Sequence, residues 1–282
     1  MSQNIYNELE FENWIDLKKH ISNLNSNWIY RGQNQYDWGL ASAIDRVNFS
    51  NSLTPQKKQE FEKFSIREIK RNPTLFSDKK VPNTDFQTIS LLQHYGLPTR
   101  LLDFTLSPYV SVFFAIEKSK SDCAIFIINY HELVDSINIL FQGKYNDNSS
   151  EINSLKTNGD FSSDEQFKNI FLNDNQRDFV QIVQPFYLFD RIRQQNGVFL
   201  CQGNINKSFE ENLQQNHEIL KKINGHSPFY KLRIRKEWHA EILRDLFQMN
   251  ISSQSLFPGI YGAINSIKGK FDIFNQDRRT KI

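Results

Sequence analysis

Two helix-punctuating signals enclose a short, polar-rich stretch in the first half of the chain, and nothing else in the sequence limits the fold as strongly. Thr84 with Gln87 three residues later is a capping-box pattern that opens a helix. Gly96 supplies the left-handed residue that closes it, and Pro98 just beyond prevents continuation. Ser107-Pro108 then opens a second helix, a capping hydroxyl followed by the residue favoured at the first helical position. Between them Leu101-Leu102-Asp103-Phe104-Thr105 is short, apolar at Leu101, Leu102 and Phe104, and fits a buried strand or a tight extended segment. A His, a Tyr, an Arg, an Asp, a Thr and a Ser are thus delivered from a helix C-terminus, a turn and a helix N-terminus toward one small volume. Sites are commonly built in that way.

The rest of the chain supplies a core around this stretch. Phe11 to Leu24 reads as an amphipathic helix through Trp14, Leu17 and Ile21. Asn27 to Gly32 switches to aromatic and β-branched residues and reads as a strand with Arg31 at its end. A helix follows from Thr54-Pro55 to before Pro73, then a core strand Cys123–Ile128 and a short helix His131–Leu140. From Lys144 to Gln176 the chain is rich in Asn, Ser and Asp, a long loop with one helical turn near Phe167 to Leu172. Further strands are expected at Phe179–Val183, within Asp190–Leu200 and at Phe229–Arg235, the last half-buried with a basic face. Helices are expected at Ser208–Ile223 and at Lys236–Met249, the latter with Trp238, Ile242, Leu246 and Met249 inward. A last helix after Phe257-Pro258-Gly259 is expected to carry Ile260, Ala263, Ile264 and Ile267, with a polar tail from Lys268. The order lacks regular βαβ alternation and a glycine-rich phosphate loop. It predicts an α+β fold, a mixed or antiparallel sheet core flanked by helices.

Composition narrows function mainly by exclusion. The chain has 282 residues and a formal net charge of +2, which gives no general argument for nucleic acid or membrane. Its two cysteines, Cys123 and Cys201, sit among apolar residues and read as buried reduced thiols. No zinc-ligand spacing and no GxSxG nucleophile motif occurs, so no metal is expected. The start does not read as a signal peptide and the apolar runs fall short of a bilayer span, so a cytoplasmic location without membrane contact is expected.

Several side chains carry a chemical and a structural reading side by side. Arg31 beside Gly32 offers a planar fork to a phosphate, or a structural ion pair. His94 in a last helical turn is a proton donor, a phosphate contact or a capping residue. Arg100 and Asp103 suit a ligand or each other. Thr105 and Ser107 are capping hydroxyls first and ligand contacts second.

The run His94-Tyr95-Gly96-Leu97-Pro98-Thr99-Arg100-Leu101-Leu102-Asp103-Phe104-Thr105, with Ser107-Pro108 and Phe113-Phe114-Ala115, closely resembles the signature of the FRG domain family. The family's aromatic-Arg-Gly motif has its counterpart in Tyr30-Arg31-Gly32-Gln33, followed by Trp38 and Leu40. Later counterparts are Gln194 to Leu200, and Leu256-Phe257-Pro258-Gly259 with Gly262. The resemblance implies one FRG domain over residues 1–282, its core about 28–267, with an insertion at about 144–176 and a loose tail 268–282.

A weaker resemblance is to ADP-ribosyltransferases of the R-S-E type. Tyr30-Arg31-Gly32 is similar to their first motif, Asp103-Phe104-Thr105 leading to Val112-Phe113-Phe114-Ala115 to the second. Gln194 to Leu200 stands in the third place, without a glutamate. What this implies is a site for NAD, as substrate, or a related nucleotide, with ADP-ribosyl transfer or NAD glycohydrolysis as the reaction. Arg31, His94, Asp103 and Gln195 are the implied catalytic residues. Ligand contacts fall to Arg31, Gly32, Gln33, His94, Tyr95, Thr99, Arg100, Thr105 and Ser107, with Arg31 on a phosphate, Thr105 on the nicotinamide side and Gln195 at the ribose. Arg31, His94 and Thr105 should then border one cavity that Gln195 also faces. The family's company suggests a bacterial defence or toxin role with a protein or nucleic-acid target. The rival is a non-catalytic module binding nucleic acid or protein through Arg233, Arg235 and Lys236.

Overall fold

The computed structural model describes residues 4–47, 54–72, 74, 82–141, 167–173, 177–184, 190–226 and 228–279. Among these, seven strands form one open mixed sheet: β1 (Asn7–Leu9), β2 (Trp28–Gln33), β3 (Leu101–Thr105), β4 (Cys123–Asn129), β5 (Val180–Val183), β6 (Gly197–Gln202) and β7 (Phe229–Ile234). Their spatial order is β1-β7-β4-β2-β3-β6-β5. β1 pairs with β7 in parallel and every other pair is antiparallel. The expected α+β class is the observed one. Most of the expected segment Lys144–Gln176 lies outside the described residues; within it a π-helical turn, Lys168–Asn173, buries Ile170, Phe171 and Leu172.

Eleven helices are described: α1 (Trp14–Ser22), α2 (Ala43–Arg46), α3 (Pro55–Lys70), α4 (Asp85–His94), α5 (Pro108–Ile116), α6 (Tyr130–Leu140), α7 (Asp190–Gln194), α8 (Phe209–Asn224), α9 (His239–Gln248), α10 (Ser253–Leu256) and α11 (Ile260–Arg279). At α4 and α5 local chemistry sets the ends as the sequence predicts. Thr84 accepts from the Gln87 amide at the start of α4. At its end Gly96 lies at φ 87, with the Leu97 amide on the Leu92 carbonyl and the Gly96 amide on that of Gln93, a Schellman closure. Ser107 caps α5. Ser208 and Glu211 complete a reciprocal capping box at α8.

The sheet is covered on both faces. On one, Ile29, Phe126, Ile128, Leu102, Phe104, Val198 and Leu200 pack against Phe209, Leu213 and Leu220 of α8. On the other, two separate apolar clusters form. Around β4 and β7 lie Trp14, Leu17 and Ile21 of α1, Val112 and Phe113 of α5, and Ile242 and Leu246 of α9. Around β3, β6 and β5 lie Phe86 and Ile89 of α4 with Phe167 and Phe171. Between these clusters the sheet itself parts. β2 runs beside β4 for six residue pairs, but its register with β3 holds the single pair Tyr30–Thr105. A seam opens there, at the end of the Arg-Gly motif.

One expectation is corrected. Met249 faces outward, because the helix that carries it ends at Gln248 with Met249 as its cap. In α11, Ile260, Ile264 and Ile267 are exposed. Gly262 and Ser266 are the inward residues: a Cβ at Gly262 would stand 2.1 Å from the Phe257 carbonyl oxygen and 2.6 Å from that of Ser253. Close approach to α10, which only small residues permit, decides which face of α11 turns inward.

Candidate functional site

A cavity of about 260 Å³ occupies the seam between β2 and β3. Tyr30, Arg31 and Gly32 come from β2, Asp103, Phe104 and Thr105 from β3, and Phe114 from α5, with Glu117 and Lys118 just beyond that helix. Asn34, Arg191, Gln195 and Phe257 complete the wall.

Gly32 lets α5 lie directly on β2. A Cβ there would come within 2.0 Å of the Ser111 carbonyl oxygen and 2.5 Å of the Ala115 amide nitrogen. Asn34 locks the end of the helix by donating from Nδ2 to the carbonyls of Phe114 and Ala115, at 3.0 and 2.9 Å. Phe114 and Glu117 are thereby held over the seam.

Arg31 crosses the parted strands, its Nη1 donating to the backbone carbonyl of Asp103 at 2.6 Å. Its buried Nε meets no acceptor, and no carboxylate among the described residues is within ion-pair distance of the guanidinium. Burial lowers its pKa to about 10 in spite of the nearby Asp103 charge, with Arg46 pushing the same way as burial. Glu117 is the converse. It accepts from the Ser253 hydroxyl at 2.9 Å and faces no cation at ion-pair distance among the described residues. Arg191 lies over the Phe257 ring, 5.1 Å from its centre.

The sequence-predicted residues divide between this cavity and its supports. Arg31, Gly32, Asp103, Thr105 and Gln195 border it together. Thr105 also ties β3 to α7, donating to the Gln195 carbonyl at 2.6 Å and accepting from the Ser107 amide at 3.0 Å. Gln195 donates from Nε2 to the Leu256 carbonyl at 3.1 Å. Thr99 acts one step away. Its hydroxyl donates to Gln93, whose Nε2 donates to the Asp103 carboxylate at 2.9 Å.

The remaining candidates lie away from the cavity lining. His94 stands in the last turn of α4 with its ring edge-on to Tyr95, 5.1 Å between centres, and Tyr95 is exposed. Gln33 shares the Arg31 face of β2 and lies opposite to Gly32, but it donates from Nε2 to the Gly39 carbonyl at 2.7 Å, away from the cavity lining. Ser107 caps α5. Arg100 is fully buried: Nε and Nη2 meet the two oxygens of Glu62 at 2.7 and 2.5 Å, and Nη1 meets the Phe171 carbonyl at 2.8 Å. Its partner is therefore Glu62, not Asp103. Of the three residues expected to share a cavity, Arg31 and Thr105 do, joined by Gln195.

Sequence reasoning did not single out Asn34, Phe114, Glu117, Lys118, Arg191 or Phe257 as site residues. The signals were weak but present: Phe114 and Glu117 end the run that opens at Ser107-Pro108, and Phe257 begins the Pro-Gly turn. The basic strand of the rival reading is largely neutralised. Arg233 pairs with Asp122 at 3.2 Å and lies 3.8 Å from the centre of the Tyr36 ring, and Glu10 serves both Arg233 and Arg235.

This is an open mixed sheet with a charged cleft at a parted strand pair. The FRG domain family model matches residues 26–123, and the chain contains an FRG domain there. The matched segment runs from just before β2 to the first residue of β4, and so carries both strands of the seam and all of α5. Comparison with curated proteins finds no match, and comparison with solved structures finds none. Among the described residues no helix is long and apolar enough to cross a membrane.

Proposed function

We propose that the cavity binds NAD or a related nucleotide and that the chain acts on it by ADP-ribosyl transfer or NAD glycohydrolysis. One observation carries this reading. Arg31, without a carboxylate, and Glu117, without a cation, face the same small cavity, with the rings of Phe114 and Phe257 in its wall. A ligand that satisfies both carries an anionic group and a cationic aromatic ring, and NAD has both in its phosphates and its pyridinium. The volume is just under the usual range for small-molecule sites, about 300–1,000 Å³. It suits the nicotinamide half of the molecule.

In this arrangement Arg31 holds a phosphate through its unused donors. Phe114 and Phe257 flank the ring, and Glu117 faces the charge that develops at the ribose as the glycosidic bond breaks. Nicotinamide leaves with the bonding electron pair. Water or an acceptor hydroxyl adds to the ribose carbon and loses its proton to Asp103 or Glu117. Gln195 addresses a ribose hydroxyl. Glu117 supplies the negative charge that the third motif lacks, from a different element.

Thermal unfolding with and without NAD, beside release of nicotinamide, tests this. NAD should raise the melting temperature of the wild type. Arg31→Ala should weaken NAD binding by roughly 1.5–3 kcal/mol, ~10- to 150-fold, with little change in ligand-free melting, because no carboxylate is left stranded. A wild-type protein that neither shifts with NAD nor releases nicotinamide overturns the proposal.

A further inference from the structure

Helix α11 presents its residues in reverse. The inward ones are small: Gly262 and Ser266 are buried, and a Cβ at Gly269 would meet the ring of Phe247 on α9 at 3.7 Å. The large apolar ones, Ile260, Tyr261, Ile264, Ile267 and Phe271, are 46% to 77% exposed. A surface helix of a monomer ordinarily turns its apolar stripe to the core and its polar residues to water. A contiguous apolar face left in solvent marks an interaction surface. None of these five residues lines the seam cavity.

The spacing decides what fits this face. Ile260, Ile264, Ile267 and Phe271 follow one another at steps of four, three and four residues, the a/d seam of a coiled coil. Asn265, Lys268 and Lys270 bound the seam and keep it narrow. A helix lying in a lipid surface carries a broader apolar face. The four-three-four spacing also reads the same in both directions. An antiparallel second copy therefore places Ile260 against the partner's Phe271 and Ile264 against the partner's Ile267, each contact made twice about one twofold axis. The same register sets Tyr261 beside the partner's Lys268, a ring face for an ammonium.

The area is sufficient for such a pair. At roughly 200 Å² for a fully exposed side chain of this size, the five offer about 600 Å² on each copy. A symmetric pair then buries about 1,200 Å², the lower end of the range for specific interfaces. We propose that a second copy of this chain covers the exposed face of α11, the two helices packing antiparallel about a twofold axis. An interface of that size makes a dimer that forms as concentration rises, not an obligate one.

Sedimentation velocity of the full chain over a concentration series tests this. The chain should pass from monomer to dimer as its concentration approaches ~100 µM. Ile267→Glu puts a charge into the seam at an exposed position. That variant should stay monomeric throughout the series and, when dilute, melt with the wild type. Oxidative cross-linking reads the orientation. Chains carrying Ile264→Cys should link to chains carrying Ile267→Cys, and neither should link to itself; the native Cys123 and Cys201 are buried. If Ile267→Glu fails to fold, this cross-link still decides the matter. A monomer at every concentration, a dimer undiminished by Ile267→Glu, or each cysteine variant linking to itself overturns the proposal. So does a chain that stays monomeric but sediments with anionic phospholipid vesicles, which would make the face a membrane contact. None of these results depends on what the seam cavity binds.

Discussion

Replacing Arg100 by alanine should destabilise the protein more than replacing any arginine of the seam cavity. The Arg100 side chain is fully inaccessible, and its guanidinium makes two contacts to Glu62 on α3. It also reaches the carbonyls of Phe171 at 2.8 Å and of Gln202 and Gly203 at 3.3 Å. One side chain thus joins α3, the π-helical turn and the end of β6 to the start of β3. Truncation leaves the Glu62 charge buried and uncompensated, which costs ~3–5 kcal/mol, and strips three carbonyls of a donor. For a chain of this size, with ~2–4 °C per kcal/mol, the melting temperature should fall by about 6–20 °C. Thermal and urea unfolding of Arg100→Ala, Glu62→Leu and Arg100→Met/Glu62→Leu measure this. The double variant should recover much of the loss, because an apolar pair strands no charge. A loss below ~1 kcal/mol for Arg100→Ala would refute the reasoning and return Arg100 to the list of ligand contacts.

Stability should depend on pH through three histidines. Burial lowers the pKa values of His20, His217 and His239 below the ordinary 6.5, so the unfolded chain holds these protons more tightly than the folded one. The stability is present above pH 6.5 and lost as pH falls through the depressed folded values, which urea midpoints from pH 8 to pH 5 would register. Glu8, held below 4.5 chiefly by the Tyr36 hydroxyl, adds its own loss only below that value. Gly32→Ala should unfold the junction of β2 and α5 or force them apart, since its Cβ would meet backbone atoms that cannot yield. A melting temperature within about 2 °C of wild type for that variant would contradict the close packing of α5 on β2.

Most of the fold could be read from the sequence because its signals are local. The Thr84 cap, the Gly96 closure and the Ser107-Pro108 start specify α4 and α5 through bonds within a few residues. Strand periodicity placed β2, β3, β4 and β7 to within a residue or two of their ends. What periodicity does not carry is which element lies against a given face. Ile260, Ile264 and Ile267 recur at helical spacing, yet the contact of Gly262 with α10 turns them outward. The same limit governs the site. Arg31 and Arg100 both sit at motif positions, and only the partner, distant in sequence, separates them: Glu62 is 38 residues from Arg100, whereas Arg31 finds a backbone carbonyl 72 residues away. Gln195 and Glu117 meet across the seam because β3 pairs with β6 while α5 folds back over β2.

That meeting of Gln195 and Glu117 leads to the last prediction. Under the proposed transferase reading Gln195 stands where an acid would be expected, but its amide supplies a hydrogen bond and no charge, and it is engaged with the Leu256 carbonyl. Glu117 has the charge, reaches the same cavity from the end of α5, and is steadied by the Ser253 hydroxyl. If the seam cavity breaks the glycosidic bond of NAD, the carboxylate that opposes the developing positive charge should be Glu117. Glu117→Gln keeps the size and the acceptor for Ser253 and removes only the charge. Loss of one aligned electrostatic group in such a site lowers turnover by ~100-fold or more, about 3 kcal/mol. The variant should therefore melt within about 2 °C of wild type while nicotinamide release falls ~100-fold, with a smaller loss in NAD affinity. Gln195→Ala, which forfeits a hydrogen bond alone, should lose about 10-fold or less. Turnover undiminished in Glu117→Gln but abolished in Gln195→Ala would reverse these roles, and the carboxylate would have to be sought at Asp103.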